Sequence, residues 1–329
     1  MVIQKLVTAF FVLMLLSCGG KSETIRGDSG DYDRKKYLVA TGIGDNEEIA
    51  KSRARSNLAK IFEVEINSEE GDFTKVEGGN NGTESFNQRI WSVSRDISTY
   101  TNKALKGSEI ANVSQDDDKT YKAVALITRA KASVNLRQQI SQLDRDISRY
   151  SRNANAQRYA REKILQLYSA YQLQNQRSKL QNSLAVVDNT GIGSPSVKTA
   201  DSTRLRIIKI MQKTKIFSST SVESALNMDQ KIQGSLSYFQ KADSNTDADY
   251  SLIGNIKLVD IGQKQGAFWK KALITLNLQN RSGKVLKTLK IPLKAGSSLG
   301  AKTAEQKIDK QISSELSKQV MKLFLESDF

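Results

Sequence analysis

The chemistry open to this chain is set by one thiol, 35 carboxylates, 50 Lys and Arg cations and a complete lack of histidine. Without an imidazole no Ser-His-Asp or Cys-His relay can be assembled. A His-ligated zinc or iron centre is equally excluded, and one Cys cannot supply a thiolate cluster or an internal disulfide. Carboxylate and lysine chemistry remain. Asp116, Asp117 and Asp118 are adjacent acids without the alternation of a calcium loop or its terminal Glu, so they are expected at a hairpin tip. Asp243, Asp247 and Asp249 are better spaced for a cation but precede a strand in a polar loop, which favours a structural role. Gly42-Ile-Gly44-Asp45 lacks the third Gly and the basic clamp of a dinucleotide turn and reads as a tight strand-to-helix turn. No carboxylate pair stands out as an acid/base couple. No catalytic residue, metal ligand or cofactor is therefore assigned, and the chain is not expected to be an enzyme. A carboxylate- or Lys-dependent envelope enzyme is the contrasting class, which clustered, pocket-facing carboxylates would support.

The single thiol lies at a telling place. Lys5 precedes an apolar run over residues 6–16. That run is too short for a bilayer span of about 20 residues but suits a signal-peptide core. It ends in Leu15-Leu16-Ser17-Cys18, which resembles the bacterial lipobox. Cleavage between Ser17 and Cys18 would leave the cysteine as first residue, where its sulfur can carry a diacylglycerol thioether. Two or three acyl chains hold firmly at about 0.8 kcal/mol per buried methylene. Gly19 follows, where Asp in such lipoproteins signals inner-membrane retention, so an outer-membrane anchor facing the periplasm is expected.

The elements that must position everything else follow from periodicity. Residues 1–17 are read as signal and 18–36, rich in Gly, Ser and Asp, as a flexible tether. Residues 37–42 form a strand, and Asp45 or Asn46 caps a helix over 47–62 whose Ile49, Ala50, Ala54, Leu58 and Ile61 share one face. Residues 64–66 look like a strand, 70–84 a loop, and 86–104, with Trp91, lean towards a strand. Residues 106–113 and 121–129 make a hairpin, and the continuous apolar run 123–127 is expected to be central. A long helical segment spans 131–186, with Leu136, Ile140, Leu143, Ile147 and Tyr150 as a seam that weakens over 151–157. Tyr159, Tyr168 and Tyr171 are read as helix packing. Residues 187–200 are a linker. In 201–329, helices are expected at 203–213, 222–239 and 301–326, a strand at 250–261, and a hairpin of 267–279 with 284–293, where Trp269 packs. The fold class is α+β: an N-terminal sheet-and-helix module over 37–130, the connecting helix, and a second α/β module.

Charge is regional. Residues 131–180 net +7 and 251–310 net +9, while the whole mature chain nets +14. Arg145, Arg149 and Arg152 fall opposite the first helix seam and form a candidate basic contact face. Anionic lipid or a polyanionic wall polymer are the partners such regions suit, against a plain solvated face. Nucleic acid is not expected, since an exported chain does not meet it.

Tyr37-Leu-Val-Ala-Thr-Gly-Ile-Gly44, the helix from Glu47 to Lys60 and Tyr121-Lys-Ala-Val-Ala-Leu-Ile-Thr-Arg129 running into a helix resemble the twenty-kilodalton outer-membrane lipoprotein family (Lpp-twenty) over residues 36–150. The first domain of the flagellar-ring protein FlgT is similar. Ala248-Asp-Tyr-Ser-Leu-Ile-Gly-Asn-Ile256 with the following hairpin weakly resembles the envelope domains of LpoB and CsgG, with Asn280-Arg-Ser-Gly283 where those carry Thr-Gly. The resemblance implies a non-catalytic envelope adaptor or assembly factor, anchored to the membrane through Cys18 and serving a flagellar ring or a wall synthase. A structural lipoprotein or surface antigen without a dedicated partner is the alternative.

Overall fold

Tyr37–Gly44 (β1) alternates half-buried and buried residues, the mark of a strand with one face on a core. It opens the computed structural model, which describes residues 32–73, 107–196, 198–220 and 226–326, with the backbone alone for 62–73. The chain divides into two compact units, and the division falls inside three long helices. The α+β class is as expected.

In the first unit β1 pairs antiparallel with Tyr121–Thr128 (β3), which pairs antiparallel with Glu109–Gln115 (β2), so the order is β1-β3-β2. The apolar run Ala123–Ile127 is central, as expected, and all five residues are buried. Asp116–Asp118 occupy the hairpin tip. The Asp118 carboxylate accepts from Thr120 N at 3.0 Å and Thr120 Oγ1 at 2.6 Å, and these bonds hold its pKa below the usual range.

The helix Glu47–Phe73 (α1) starts on Asn46, whose Oδ1 accepts from Ile49 N at 2.9 Å. Ala50, Ala54 and Leu58 are fully buried against the sheet. Arg53 Nη1 donates to Ile43 O at 2.7 Å and Asn57 Nδ2 to Thr41 O at 2.8 Å, so the helix also satisfies carbonyls of the edge strand. The expected strand at 64–66 is instead helical. No Gly or Pro stands between Glu47 and Gly71, so nothing stops a helix already nucleated. The expected strand 86–104, Trp91 included, lies outside the described residues.

The single helical segment expected over 131–186 is two helices, Arg129–Ala156 (α2) and Ala160–Val187 (α3), separated at Gln157, Arg158 and Tyr159. The segment expected to weaken, 151–157, stays helical to Ala156, and the break follows it. In the second unit α2 and α3 are antiparallel neighbours, because Arg177 on α3 reaches Asp144 on α2.

The second unit adds Ala200–Met211 (α4), Lys215–Thr220 (β4), Met228–Ser235 (α5), Gln240–Lys241 (β5), Tyr250–Lys264 (β6), Ala267–Asn280 (β7), Val285–Ser297 (β8), Ala301–Gln319 (α6) and Lys322–Leu325 (α7). The sheet order is β5-β4-β6-β7-β8, with β5 and β6 parallel to β4 and the rest antiparallel. β4 has no counterpart among the expected strands: it is short, and its pairing partner lies 34 residues on. Of the helix expected over 222–239, residues 222–225 lie outside the described residues, and among the rest only Met228–Ser235 is helical, ending at Gly234-Ser235, poor helix formers. Pro292 sits in β8, an edge strand, where its missing N–H costs no ladder bond. The last helix, expected as one element over 301–326, is broken by a turn at Val320-Met321 into α6 and α7, while its expected face holds, with Ala304, Ile308, Ile312, Leu316, Val320 and Leu323 all fully buried. They pack with Ile207, Met211, Ile232 and the sheet residues Leu252, Ile274, Leu276 and Leu278 in one core.

The Gly42-Ile-Gly44 motif explains itself in the first unit. A Cβ on Gly42 would lie 2.1 Å from Ala54 N and 2.5 Å from Ala50 O, and one on Gly44 would lie 2.6 Å from Ile49 Cγ2. These glycines let the backbone of α1 lie on β1; they do not cradle a phosphate. Gly42→Ala is expected to destabilise by about 3 kcal/mol, because the colliding atoms are backbone and cannot rotate away. Equilibrium denaturation in urea checks this: an unchanged midpoint would mean the helix can shift at no cost.

Candidate interaction surfaces

Cys18 and Ser17, the lipidation and cleavage residues expected from sequence, lie outside the described residues. Among the described residues no helix is long and apolar enough to cross a membrane.

Two of the three loop acids, Asp247 and Asp249, have structural partners. Asp249 Oδ2 accepts from Lys215 N at 2.9 Å, and Asp247 pairs with Lys215 Nζ at 2.8 Å. Arg281 Nε donates to Ala248 O at 2.9 Å, and its Nη2 lies 3.4 Å from Asp249. The spacing that suited a cation instead stitches the start of β4 to the start of β6 and to the β7–β8 turn. That turn is built by Asn280, whose Oδ1 accepts from Ser282 N at 3.1 Å and Lys284 N at 3.0 Å, with Gly283 at φ 78°.

Arg145, Arg149 and Arg152 are all exposed on α2, on the face expected. Arg145 donates to Ser141 Oγ at 2.9 Å and to Gln142, and Arg149 pairs with Asp146 at 3.0 Å. With Asp144, Asp146 and Ser148 they line one open groove. Two acids interleave with the three arginines, so the face is less basic than the arginines alone suggest.

Asp144 in that groove is held from behind. Arg177, 5% exposed, places Nε 2.6 Å from Asp144 Oδ1 and Nη2 3.3 Å from Oδ2. The same Nη2 donates to Ser194 O at 2.9 Å. Ser194 N in turn donates to Gln181, and Gln174 Nε2 donates to Lys198 O at 3.4 Å. This end of the segment expected as a linker is strapped along α3.

The three tyrosines expected to serve helix packing divide. Tyr171 is buried and Tyr168 stacks beside it at 6.0 Å, whereas Tyr159 is exposed with Arg158 over its ring at 5.8 Å. Burial pushes both Tyr168 and Tyr171 up. Tyr250, which the sequence places in the Ala248–Ile256 stretch without giving it a role, is more strongly perturbed. It lies 4% exposed under Phe324, and burial pushes its phenol up to about 12. Its oxygen accepts from Arg161 N at 2.9 Å, one of the orphan N–H groups at the start of α3. Arg161 Nε donates to Leu323 O at 2.9 Å, so the start of α3 is tied to the C-terminal helix.

The largest feature absent from the sequence expectations is the second sheet's division of labour. Along β7, Ala272, Ile274, Leu276 and Leu278 are buried, while Lys271 and Leu273 are exposed and Thr275 and Asn277 half-buried. The helices cover one face only at this end. The signal is present as a period-two pattern in Lys271-Ala-Leu-Ile-Thr-Leu-Asn-Leu278, although which face is left open cannot be read from it. Trp269 lies half-buried on the open face. Its indole rests on Gly296, where a Cβ would sit 2.8 Å from the ring, and Lys294 Nζ lies 4.5 Å from its centroid.

No protein-family model matches the chain, and no curated protein sequence matches it either. Among solved structures, a secreted protein of the human pathogen Helicobacter pylori is similar with a TM-score of 0.46 at 12% identity, over 89% of this chain and 100% of that one. A minor lipoprotein of Acinetobacter baumannii is similar with a TM-score of 0.27 at 14% identity, over 34% of this chain and 90% of that one. Likeness of this degree assigns neither family nor activity. The resemblance of residues 36–150 to the twenty-kilodalton family therefore rests on the residues and element order alone.

Two outcomes follow from the buried polar groups. Arg177→Ala is expected to destabilise by about 2 kcal/mol, the half-exposed Asp144 keeping part of the pair screened. Arg177→Lys should recover little of it, since a point charge cannot reproduce the fork; thermal melts of the three proteins decide. For Tyr250, both folded and unfolded states are neutral below pH 10. Above it the unfolded phenol ionises first, so stability should fall by about 2 kcal/mol between pH 10 and 12 and then level. Tyr250→Phe should be less stable at pH 7, having lost the acceptor for Arg161 N, yet flatter across that alkaline window.

Proposed function

We propose that this chain is a non-catalytic, lipid-anchored protein of the bacterial cell envelope, acting as an adaptor or assembly factor on the periplasmic face of the outer membrane. The observation that carries the reading is Leu15-Leu16-Ser17-Cys18 closing an apolar run that follows Lys5, with the chain's sole thiol at the one position where acylation needs it. Acyl chains on Cys18 fix the protein at the bilayer, and residues 18–36 give an average reach of about 20–25 Å if they behave as a flexible coil. The two α+β units then present surfaces to a partner machine. A flagellar ring or a wall synthase is the partner class suggested by the resemblances of residues 36–150 and of the C-terminal module. The pairing of Asp247 and Asp249 with Lys215 and Arg281 supports a structural rather than catalytic use of the best-spaced acids.

The test is the mass of the N-terminal peptide from the membrane fraction of the native host. A peptide beginning at Cys18 with a diacylglycerol thioether is expected, and Cys18→Ala should leave an uncleaved precursor. An unmodified peptide cleaved elsewhere would defeat the anchored reading. For the adaptor role, crosslinking from a probe in α2 in intact cells should recover one wall synthase or flagellar ring proteins; recovery of only abundant lipoproteins and lipid would count against it.

A further inference from the structure

The lysines of the β6-β7-β8 ribbon fall into two classes. On the helix-covered face they have partners: Lys270 Nζ pairs with Glu305 at 2.8 Å and Lys287 Nζ donates to Glu326 O at 2.8 Å. The Glu305 bond raises the Lys270 pKa. On the opposite face the register sets Lys257 of β6 beside Leu273 of β7, Lys271 beside Lys294 of β8, and Thr275 beside Lys290. All four of these lysines are exposed. No Asp or Glu occupies a described position of that face on β6, β7 or β8. Lys271 and Lys294 are directly opposed across neighbouring strands, an arrangement of like charges that destabilises a sheet. A fold that keeps such a pair with no acid beside it is carrying charge for something outside itself.

The apolar members of the same face point to what that is. Val259 is 44% and Leu273 39% exposed, side by side with the lysines, and Trp269 lies flat on Gly296 with Lys294 at its ring. Lysines that hold their heads in water over aliphatic stems, together with Trp at their level, are the composition of a surface that rests on lipid headgroups. Single-stranded nucleic acid would need successive aromatic platforms for its bases, and this face carries one Trp.

We propose that the open face of the β6-β7-β8 ribbon docks onto an anionic bilayer surface. Lys257, Lys271, Lys290 and Lys294 supply the attraction and Leu273 and Val259 the shallow apolar contact. The proposal deepens the anchored-protein reading by giving the tethered chain a fixed face towards the membrane, and it is tested without the anchor. The full-length mature chain carrying Cys18→Ser is mixed with vesicles of phosphatidylcholine alone or with about one third phosphatidylglycerol, and flotation reads the bound fraction. Binding is expected only to the anionic vesicles, with loss at high salt. Each lysine near the surface contributes about 1 kcal/mol, or about fivefold. Lys271→Gln with Lys294→Gln should thus lower the partition coefficient about 25-fold while leaving thermal stability unchanged or raised, since a like-charge pair is removed. Lys302→Gln with Lys310→Gln, on α6, removes the same net charge and should leave binding within twofold of the parent.

Equal loss from both double variants would overturn the proposal, because net charge and not this face would then be responsible. Equal binding to uncharged vesicles would overturn it too, as would capture by a soluble polyanion such as polyphosphate with no vesicle binding. Failure of the anchored reading shows separately, in the N-terminal mass, because this measurement contains no acyl chain.

Discussion

A β-sheet has two faces, and in the second unit the helices bury one. The row Leu252, Ile274, Leu276 and Leu278 meets α4, α5 and α6, each of which brings a stripe of aliphatic residues. Burial at about 25 cal/mol per Å² makes this the dominant favourable contribution to that unit. The other features follow from it. The C-terminal helices are held because Leu316, Val320, Leu323 and Phe324 have no exposed alternative. Tyr250 is buried because it shares the core row, and its hydroxyl then meets the start of α3. The face pointing away from the helices carries the exposed lysines together with the partly exposed Trp269, Leu273 and Val259.

Polar groups divide along the same line. Those near the core are consumed in fastening: Arg177 to Asp144 and Ser194, Arg161 to Leu323, and Lys215, Asp247, Asp249 and Arg281 around the parallel strand β4. Buried or half-buried charge is tolerated only where it is paired and hydrogen-bonded. The open sheet face obeys no such demand. Its lysines are spread across three strands without acids among them, and the like-charged cross-strand neighbours Lys271 and Lys294 persist there. The arginines of α2 stand between these cases, exposed but interleaved with Asp144 and Asp146.

The first unit solves its packing by removing side chains. Gly42 and Gly44 on the strand, with Ala50 and Ala54 on the helix, bring two backbones into contact, and Arg53 and Asn57 then bond to strand carbonyls. Close backbone approach replaces the interdigitated aliphatics of the second unit. A glycine pair that mimics a phosphate-binding turn in one dimension is thus a packing device in three, because the space a ligand would need is filled by α1.

Several elements are legible in the amino-acid sequence because each carries its own period. The strand at 37–42 ended by its glycines, the apolar run 123–127 at the centre of its sheet, and the spacing from Ala304 to Leu323 each mark one element by local information. The capping of α1 by Asn46 and the turn at Asn280 are readable for the same reason. Composition alone removes histidine-dependent chemistry, thiolate clusters and internal disulfides. The strand β4 is not legible, since six residues of mixed polarity become a strand only by lying between β5 and β6. The helical course of residues 64–66 and the break at Gln157–Tyr159 are decided by whether a helix meets a stop signal or a partner, and the partner lies far along the chain. Which lysines face away from the core is also beyond the sequence. Regional charge can be counted residue by residue, but the sides of a sheet are distinguished only when helices choose one of them to cover.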